Sequence, residues 1–119
     1  MSIHAAFIVC PVGGGFAATT RVESSGYGLP GGKLEPGESP ASAALREAAE
    51  EGWRIFGLHP EPFHQAVVEG KWVVWFRAAA ALPLASYKEQ GRIAPVVATA
   101  GDLTTFGNAL AIQRATTEW

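Results

Sequence analysis

Three glutamates on one predicted helix have the spacing that a bound dication would need. Glu47, Glu50 and Glu51 stand at i, i+3 and i+4, which places them on one face of an α-helix. Like charges at that spacing cost an isolated helix about 0.2–0.5 kcal/mol per pair, and Arg46 cannot neutralise all three. Mg²⁺ takes oxygen ligands and keeps part of its shell for water or phosphate. The cluster therefore indicates either a metal site or a solvated acidic face.

The helix that carries these glutamates has clear boundary signals. Ser39 is a favoured N-cap residue, Pro40 suits the first helical position, and Gly52 is a natural stop. The sequence therefore predicts a helix over residues 40–51. On a helical wheel the remaining apolar residues divide into two groups. Ala43 and Ala44 share the acidic face, whereas Ala41, Leu45, Ala48 and Ala49 point towards a sheet.

Strand-like segments surround this helix. A turn at residues 13–15 makes residues 16–20 the returning strand of a hairpin with the first strand, and a Gly- and Pro-rich loop covers residues 21–37. Strands are predicted at residues 3–10, 16–20, 53–58, 63–69, 71–80 and 95–98, and a final helix from residue 106 or 108 to about 116. Strands flanked by helices on opposite faces predict an α/β sandwich.

Composition and charge narrow the classes of function. The chain has 119 residues, which suits one domain over residues 1–119. Nine Lys and Arg against eleven Asp and Glu give a net charge of −2, which disfavours a nucleic acid polymer as partner. Cys10 is the only cysteine, and no apolar run reaches the roughly 18–20 residues of a membrane span. We expect a cytoplasmic monomer or homodimer without a membrane partner.

The segment before the helix extends the acidic pattern into a recognisable motif. Gly32 is followed after five residues by Glu38 and, after seven more, by Arg-Glu-Ala-Ala-Glu-Glu ending at Glu51. This resembles the box of the Nudix hydrolase family, here at about residues 32–54. One departure occurs at the end of the box. Gly52 follows Glu51 directly, and Trp53 and Arg54 occupy the places where the family has glycine and an aliphatic residue.

The resemblance implies an α/β/α sandwich with a mixed sheet and a hydrolase that uses Mg²⁺, for which Mn²⁺ can substitute. Glu47, Glu50 and Glu51 would then be catalytic metal ligands, with Glu47 as the favoured general base. The carbonyl of Gly31 would be a further ligand, and Arg46 would orient the carboxylates. Glu38 would hold the box together or reach the metal through water.

Outside the box the chain is most similar to the compact MutT-type members of the family. That similarity implies hydrolysis of a nucleoside triphosphate, including an oxidised purine nucleotide, to monophosphate and pyrophosphate. Glu89 would be an additional metal ligand or an ordinary loop residue, and Arg21 would contact phosphate or lie on the surface. Asn108 would read a purine edge or cap the last helix. Four aromatic residues would either stack on the base or fill the core: Phe7, Tyr27, Trp72 and Trp75.

Two alternatives to a triphosphate hydrolase stay open. An ADP-ribose or nucleoside diphosphate-sugar pyrophosphatase usually carries additional strands and longer loops, which this short chain barely permits. A catalytically silent nucleotide-binding module would fit the irregular end of the box, although all its glutamates are present. Residues 26–31 also spell G-x-G-x-x-G, but a dinucleotide-binding loop opens directly into a helix, and here Pro30 interrupts it.

Overall fold

The longest strand in the described part of the chain lies at the centre of the main sheet. In the computed structural model, which describes residues 2–118, this strand is β8 (Lys71–Pro83). It pairs in parallel with β1 (Ile3–Val9), and antiparallel with β6 (Trp53–Leu58) and β7 (His64–Val68). On the far side of β1 lies β5 (Gly31–Lys33), which is also antiparallel. The sheet is therefore mixed, as predicted.

A second sheet forms around β3 (Gly15–Arg21). This strand pairs antiparallel with β2 (Pro11–Val12), β4 (Tyr27–Gly28) and β9 (Ile93–Ala98). The predicted hairpin between residues 3–10 and 16–20 is wrong, because β5 and β8 occupy the two edges of β1. After the turn at residues 13–14, β3 pairs with β2 and the Ala17 amide donates to the Cys10 carbonyl at 2.9 Å, but β3 does not pair with β1. The predicted loop at residues 21–37 likewise contains β4 and β5.

The two helices cover opposite faces of the main sheet. Side chains alternate along β1 and β8, as the period of a strand requires. Ala5, Val9, Val73 and Trp75 pack with α2 (Asn108–Glu118), and Ala6, Ile8, Val74 and Phe76 pack with α1 (Pro40–Glu50). This arrangement confirms the α/β/α sandwich. The strongly apolar run at residues 72–76 is buried because both faces of β8 are covered.

The start of α1 agrees with its sequence signals, but its buried face does not. The Ser39 side chain accepts a hydrogen bond from Ser42 N at 3.1 Å, and Pro40 is the first helical residue. Ala44 and Ala48 pack in the core, and Ala43 is buried as well. The predicted packing of Leu45 and Ala49 on the sheet is wrong, since both are exposed. The helix is rotated so that Ala44 and Ala48 face the strands.

The last helix begins at Asn108 and runs two residues beyond its predicted end at 116. A 3-10 turn at Ala100–Asp102 precedes it. The G-x-G-x-x-G segment at residues 26–31 leads into β5 rather than a helix, so it is not a dinucleotide loop. Within residues 2–118, no helix is long and apolar enough to cross a membrane.

Candidate active site

Arg46 lies at the centre of the acidic cluster and ties α1 to the preceding loop. Its Nε and Nη2 donate to the two carboxylate oxygens of Glu38 at 2.8 and 3.0 Å, and Nη2 also donates to the Lys33 carbonyl at 3.0 Å. Its Nη1 donates to Glu47 and Glu50 at 3.1 and 3.3 Å. The hydrogen bonds from Arg46 lower the pKa of the Glu38 carboxyl to about 2. One guanidinium therefore fixes three carboxylates.

Glu51 caps the C-terminus of α1 and carries a buried carboxylate. Its side chain is 5% exposed, and Oε1 accepts a hydrogen bond from Gly31 N at 3.0 Å. Burial raises the pKa of this carboxyl to about 8, because desolvation penalises the charged form. Gly31 has φ +141°, and a Cβ there would collide with the backbone of Ala6 and Phe7. Glycine at this position therefore allows the amide to reach the carboxylate.

Glu47 packs against the second glycine of the same pair. A Cβ on Gly32 would lie 2.6 Å from Glu47 Cδ, so the absence of a side chain there leaves room for the carboxylate. Partial burial raises the pKa of Glu47, and the hydrogen bond from Arg46 opposes that rise. Glu47 and Glu51 are thus held beside Gly31 and Gly32, which come from the opposite side of the box.

Glu47 and Glu51 face a cleft of about 550 Å³. The same cleft is lined by four basic side chains, from His4, Arg21, Lys33 and Lys71. Desolvation and then the charges of Lys71 and Lys33 lower the pKa of His4, because both effects disfavour the charged imidazolium. An acidic wall that faces basic side chains suits a cation together with an anion such as a diphosphate.

A second pocket of about 360 Å³ opens beside the first. The two share Arg21 and Glu51, and the second is also lined by Tyr27 and Asn108. Asn108 is 3% exposed. The pocket is lined by aromatic residues and one amide, as a site for a planar heterocycle would be. Arg21, at the end of β3, stands where the two pockets meet.

Aromatic side chains divide between this pocket and the core. Phe7 and Tyr27 line the second pocket, whereas Trp75 is fully buried and Trp72 lines neither cleft. Phe106 was not predicted as a site residue. It lines both pockets and meets the Phe7 ring edge-on, with centroids 5.4 Å apart. Its φ of +55° is unusual for an aromatic residue, and the Phe-Gly pair before α2 was the available signal.

The irregular end of the box is a tight turn held by the chain around residues 84–95. Gly52 has φ +103°, and a Cβ there would lie 2.9 Å from Pro95 and 3.2 Å from Tyr87. The amide of Leu84 donates to the Gly52 carbonyl at 2.7 Å, and that of Glu89 to the Glu50 carbonyl at 2.9 Å. This segment therefore satisfies carbonyls that the end of a helix leaves without partners.

Two predicted ligands lie towards this segment rather than in the cleft. Glu50 contacts Lys88 Nζ at 3.8 Å in addition to Arg46, and it does not line either pocket described above. The Glu89 side chain pairs with Arg92 at 3.3 Å. The structure therefore brings Glu47, Glu51 and Gly31 together around the cleft. It places Glu50 and Glu89 at its outer side.

The donor set fits a hard divalent cation. In the described part of the chain, no three His, Cys, Asp or Glu side chains already converge as a metal cage. The carboxylates of Glu47 and Glu50 are turned towards Arg46, and that of Glu51 towards the Gly31 amide. Carboxylate and carbonyl oxygens are nevertheless the ligands that Mg²⁺ prefers. Burial of the Glu51 carboxylate is unfavourable for an anion, and a nearby cation would offset it.

The fold and the site together define the class of protein. An α/β/α sandwich presents a glycine pair and a helix of carboxylates to a cleft with basic walls, which is an arrangement that suits a divalent cation together with an anionic ligand. A family model described as the NUDIX domain matches residues 3–95. The chain therefore belongs to the Nudix family.

Known proteins resemble the chain in sequence and in fold. YtkD of Bacillus subtilis (strain 168), provisionally named an 8-oxo-dGTP diphosphatase, is 47% identical over 53 residues, 44% of this chain and 33% of YtkD. The alignment thus spans a third of that relative. A provisionally assigned Nudix hydrolase of Chromobacterium violaceum is 26% identical with a TM-score of 0.69, over 97% of this chain and 78% of the other. A MutT structure, from work on the Aliivibrio salmonicida and Vibrio cholerae proteins, is 17% identical with a TM-score of 0.72, over 98% of both chains.

Proposed function

We propose that the protein hydrolyses nucleoside triphosphates to monophosphate and pyrophosphate, with Mg²⁺ bound by Glu47, Glu50, Glu51 and the Gly31 carbonyl. Mn²⁺ would substitute for Mg²⁺, and Glu89 would supply a further ligand. The observation that carries this proposal is the junction of the two pockets. The first pocket is lined by Glu47 and by the basic side chains of His4, Lys33 and Lys71, and the second by Tyr27 and Asn108. Arg21, Glu51, Phe7 and Phe106 line both. A nucleotide has the same two halves, a polyphosphate and a planar base.

The bound metal would supply charge neutralisation and a water of lowered pKa. The protein's own residues would do the rest. Glu47, half-buried and with a raised pKa, would accept a proton from the attacking water. Arg21, which lines both pockets, would hold the phosphate next to the sugar. Lys33 and Lys71 would hold the outer phosphates, because they line the first cleft together with Glu47 but not the second pocket.

An oxidised purine nucleotide is included among the proposed substrates. The support is the name of the partial relative YtkD, which refers to 8-oxo-dGTP. Within the pocket, Phe7 and Tyr27 offer rings on which a base can stack, and Asn108 offers an amide for its edge. We propose that residues 1–119 form one domain that is sufficient for this reaction, as a monomer or homodimer.

A nucleotide panel tests the proposal. Purified protein with Mg²⁺ would be given nucleoside triphosphates, 8-oxo-dGTP, ADP-ribose and a nucleoside diphosphate-sugar, and pyrophosphate and phosphate would be measured separately. We expect monophosphate and pyrophosphate in equal amounts from a triphosphate. Preferred cleavage of ADP-ribose, without release of pyrophosphate, would show that the proposed substrate is wrong. Binding without turnover of any nucleotide would indicate a silent module.

Variants test the site itself. Glu51→Gln keeps the size of the side chain and an oxygen for the Gly31 amide, but removes the charge. We expect turnover to fall on the order of a hundredfold or more, as for loss of one electrostatic contact to a transition state. The control is Glu61→Gln, which removes an exposed carboxylate in the turn between β6 and β7. Equal activity of the Glu51 variant and the wild type would refute the metal site.

A further inference from the structure

The side chain of Trp53 joins the end of the box to the second sheet. Trp53 is buried and comes directly after the tight turn at Gly52. Its Nε1 donates to the Ala18 carbonyl at 2.7 Å, and the two residues are 35 positions apart in the chain. Ala18 lies in the middle of β3. The hydrogen bond therefore connects the exit of α1 with a strand of the other sheet.

The surroundings of the indole keep it in place. Trp53 belongs to one core cluster with three fully buried alanines, Ala17 of β3 and Ala44 and Ala48 of α1. An indole N–H can only donate, and a buried donor that loses its acceptor is strongly disfavoured. The ring therefore cannot move away from β3 without disturbing a close-packed core and leaving its N–H without a partner.

Arg21 lies on the same strand as the acceptor, three residues after Ala18. Along an extended strand this separation is about 10 Å. From Phe16 to Arg21, β3 pairs residue by residue with β9. The strand is therefore held straight from the acceptor to Arg21, and a shift of its backbone at Ala18 would also move Arg21.

The other end of the connection is Glu51, two residues before Trp53. Gly52 lies between them with φ +103°, and a Cβ on it would come within 2.9 Å of the Pro95 ring. The path from Glu51 to the indole is thus short and closely packed. Glu51 and Arg21 both line the two pockets. The indole hydrogen bond therefore completes a frame in which these two charged residues face the same space.

We propose that Trp53 is a positioning residue, whose indole N–H fixes Arg21 relative to Glu51. The proposed reaction needs both groups on one substrate, Arg21 on its phosphate and Glu51 on its metal. A misplacement of about 1 Å can cost on the order of a hundredfold in rate. Trp53 stands where the family's box has glycine, which has no side chain to make this contact. The inference rests on the proposed function, because that function assigns the roles of Arg21 and Glu51.

A double-mutant cycle tests whether Trp53 acts through Arg21. Trp53→Phe keeps a buried aromatic ring and removes the N–H. At a temperature at which circular dichroism shows each variant to be folded, we expect kcat/KM for the preferred triphosphate to fall about tenfold. In an Arg21→Ala background the same substitution should lower kcat/KM by less than about twofold, because no guanidinium is left to misplace.

The dependence on metal gives a second readout. We expect the Mg²⁺ concentration for half-maximal rate to be the same in Trp53→Phe and in the wild type, since Glu51 keeps its hydrogen bond from Gly31 N. A variant that was merely loosened throughout would need more Mg²⁺. An increased Mg²⁺ requirement would therefore contradict a role through Arg21.

Phe76→Leu is the matched control for loss of core packing. Phe76 is as deeply buried as Trp53 and belongs to the same core cluster, but it lines neither pocket described above. Its effect on kcat/KM should be small and should be equal with and without Arg21. If Phe76→Leu shows the same coupling to Arg21 as Trp53→Phe does, the effect is a general loss of packing and the inference is wrong.

The outcomes separate this inference from the function on which it rests. If the wild type turns over no nucleotide, the proposed function fails. If it is active but Trp53→Phe keeps the wild-type kcat/KM, or loses as much in the Arg21→Ala background, the function stands and the inference is wrong. Crystal structures of the wild type and Trp53→Phe decide the positioning role whatever the substrate. We expect β3 to shift relative to α1, and an unchanged distance between the Arg21 and Glu51 Cα atoms would overturn the inference.

Discussion

Gly31 N and Glu51 Oε1 lie 3.0 Å apart, although the two residues are 20 positions apart in the chain. This hydrogen bond joins the strand β5 to the end of α1 and closes the loop between them. The carboxylate that accepts it is buried and has a raised pKa. The bond therefore fixes the position of a proposed metal ligand, but it leaves the charge of that ligand poorly compensated until a cation binds.

Because the charge of the Glu51 carboxylate is poorly compensated, we expect the stability of the metal-free protein to depend on pH. The pKa of Glu51 is about 8 in the folded protein against an ordinary value of 4.5, so the folded state holds this proton more tightly. The contribution to stability is full below pH 4.5 and is lost as pH rises through 8. We expect the loss to be on the order of a few kcal/mol. Urea denaturation in a chelator measures it.

Bound Mg²⁺ should oppose the loss of stability at higher pH. Because Mg²⁺ competes with the proton for the carboxylate, it should raise Tm more at pH 8 than at pH 6. The matched variant is Glu51→Gln, which does not titrate at this position. In that variant the decline over this pH range should be smaller, and the response to Mg²⁺ should be lost. The same slope and the same Mg²⁺ response in both proteins would contradict the assignment.

Glu38 should make stability depend on pH in the opposite direction to Glu51. The hydrogen bonds from Arg46 lower its pKa to about 2, so the stability that it contributes is present above its unfolded value of 4.5. That stability is lost as pH falls towards 2. We expect Glu38→Gln to be less stable than the wild type at neutral pH and to lose less stability on acidification. Denaturation curves from pH 2 to pH 6 test this.

The control for that experiment is Glu61→Gln, at an exposed turn. Its stability should follow the wild-type pH dependence throughout. Activity should also fall in Glu38→Gln, since Arg46 holds Glu47 and Glu50 as well as Glu38. Acid sensitivity equal to that of the wild type would mean that the Arg46–Glu38 pair does not stabilise the fold.

Local features of this protein were predictable from sequence, and distant pairings were not. Ser39 and Pro40 mark the start of α1 by chemistry confined to a few residues, and the glutamate spacing follows from helical geometry alone. The strands that pair with β1 are β5 and β8, which lie some 20 to 70 residues away in the chain. No local turn signal predicts these two pairings. The position of Phe106 between the two pockets was also not predictable from local sequence, because it depends on how α2 packs against the sheet. The rotation of α1 that exposes Leu45 is likewise set by packing.

The irregular end of the box predicts a specific sensitivity at Gly52. Alanine there would meet the Pro95 and Tyr87 side chains and would also adopt φ +103°. Gly37 is the matched control, since it has φ +79° but nothing within 4 Å of an added Cβ. We expect Gly37→Ala to cost about 1 kcal/mol from backbone strain alone. Gly52→Ala should cost more and should also lower kcat, because Glu51 precedes it.

Denaturation midpoints and kinetic assays of the two glycine variants test this pair. The difference between them measures the contact with Pro95 and Tyr87, because both share the unfavourable φ. Equal losses of stability, with wild-type kcat in Gly52→Ala, would show that the turn adapts without moving the carboxylate.

Phe106 has a positive φ and lines both pockets. We therefore expect this residue to lower the stability of the fold but to contribute to nucleotide binding. Its φ of +55° is sterically unfavourable for any residue with a side chain. Phe106→Gly should therefore be more stable than Phe106→Ala by about 1 kcal/mol. Both variants lose the edge contact with Phe7 and a ring that faces the ligand. We expect both to raise KM for the nucleotide several-fold with a smaller effect on kcat. Steady-state kinetics and urea denaturation of the two variants provide the test, and an unchanged KM in both would remove Phe106 from the substrate site.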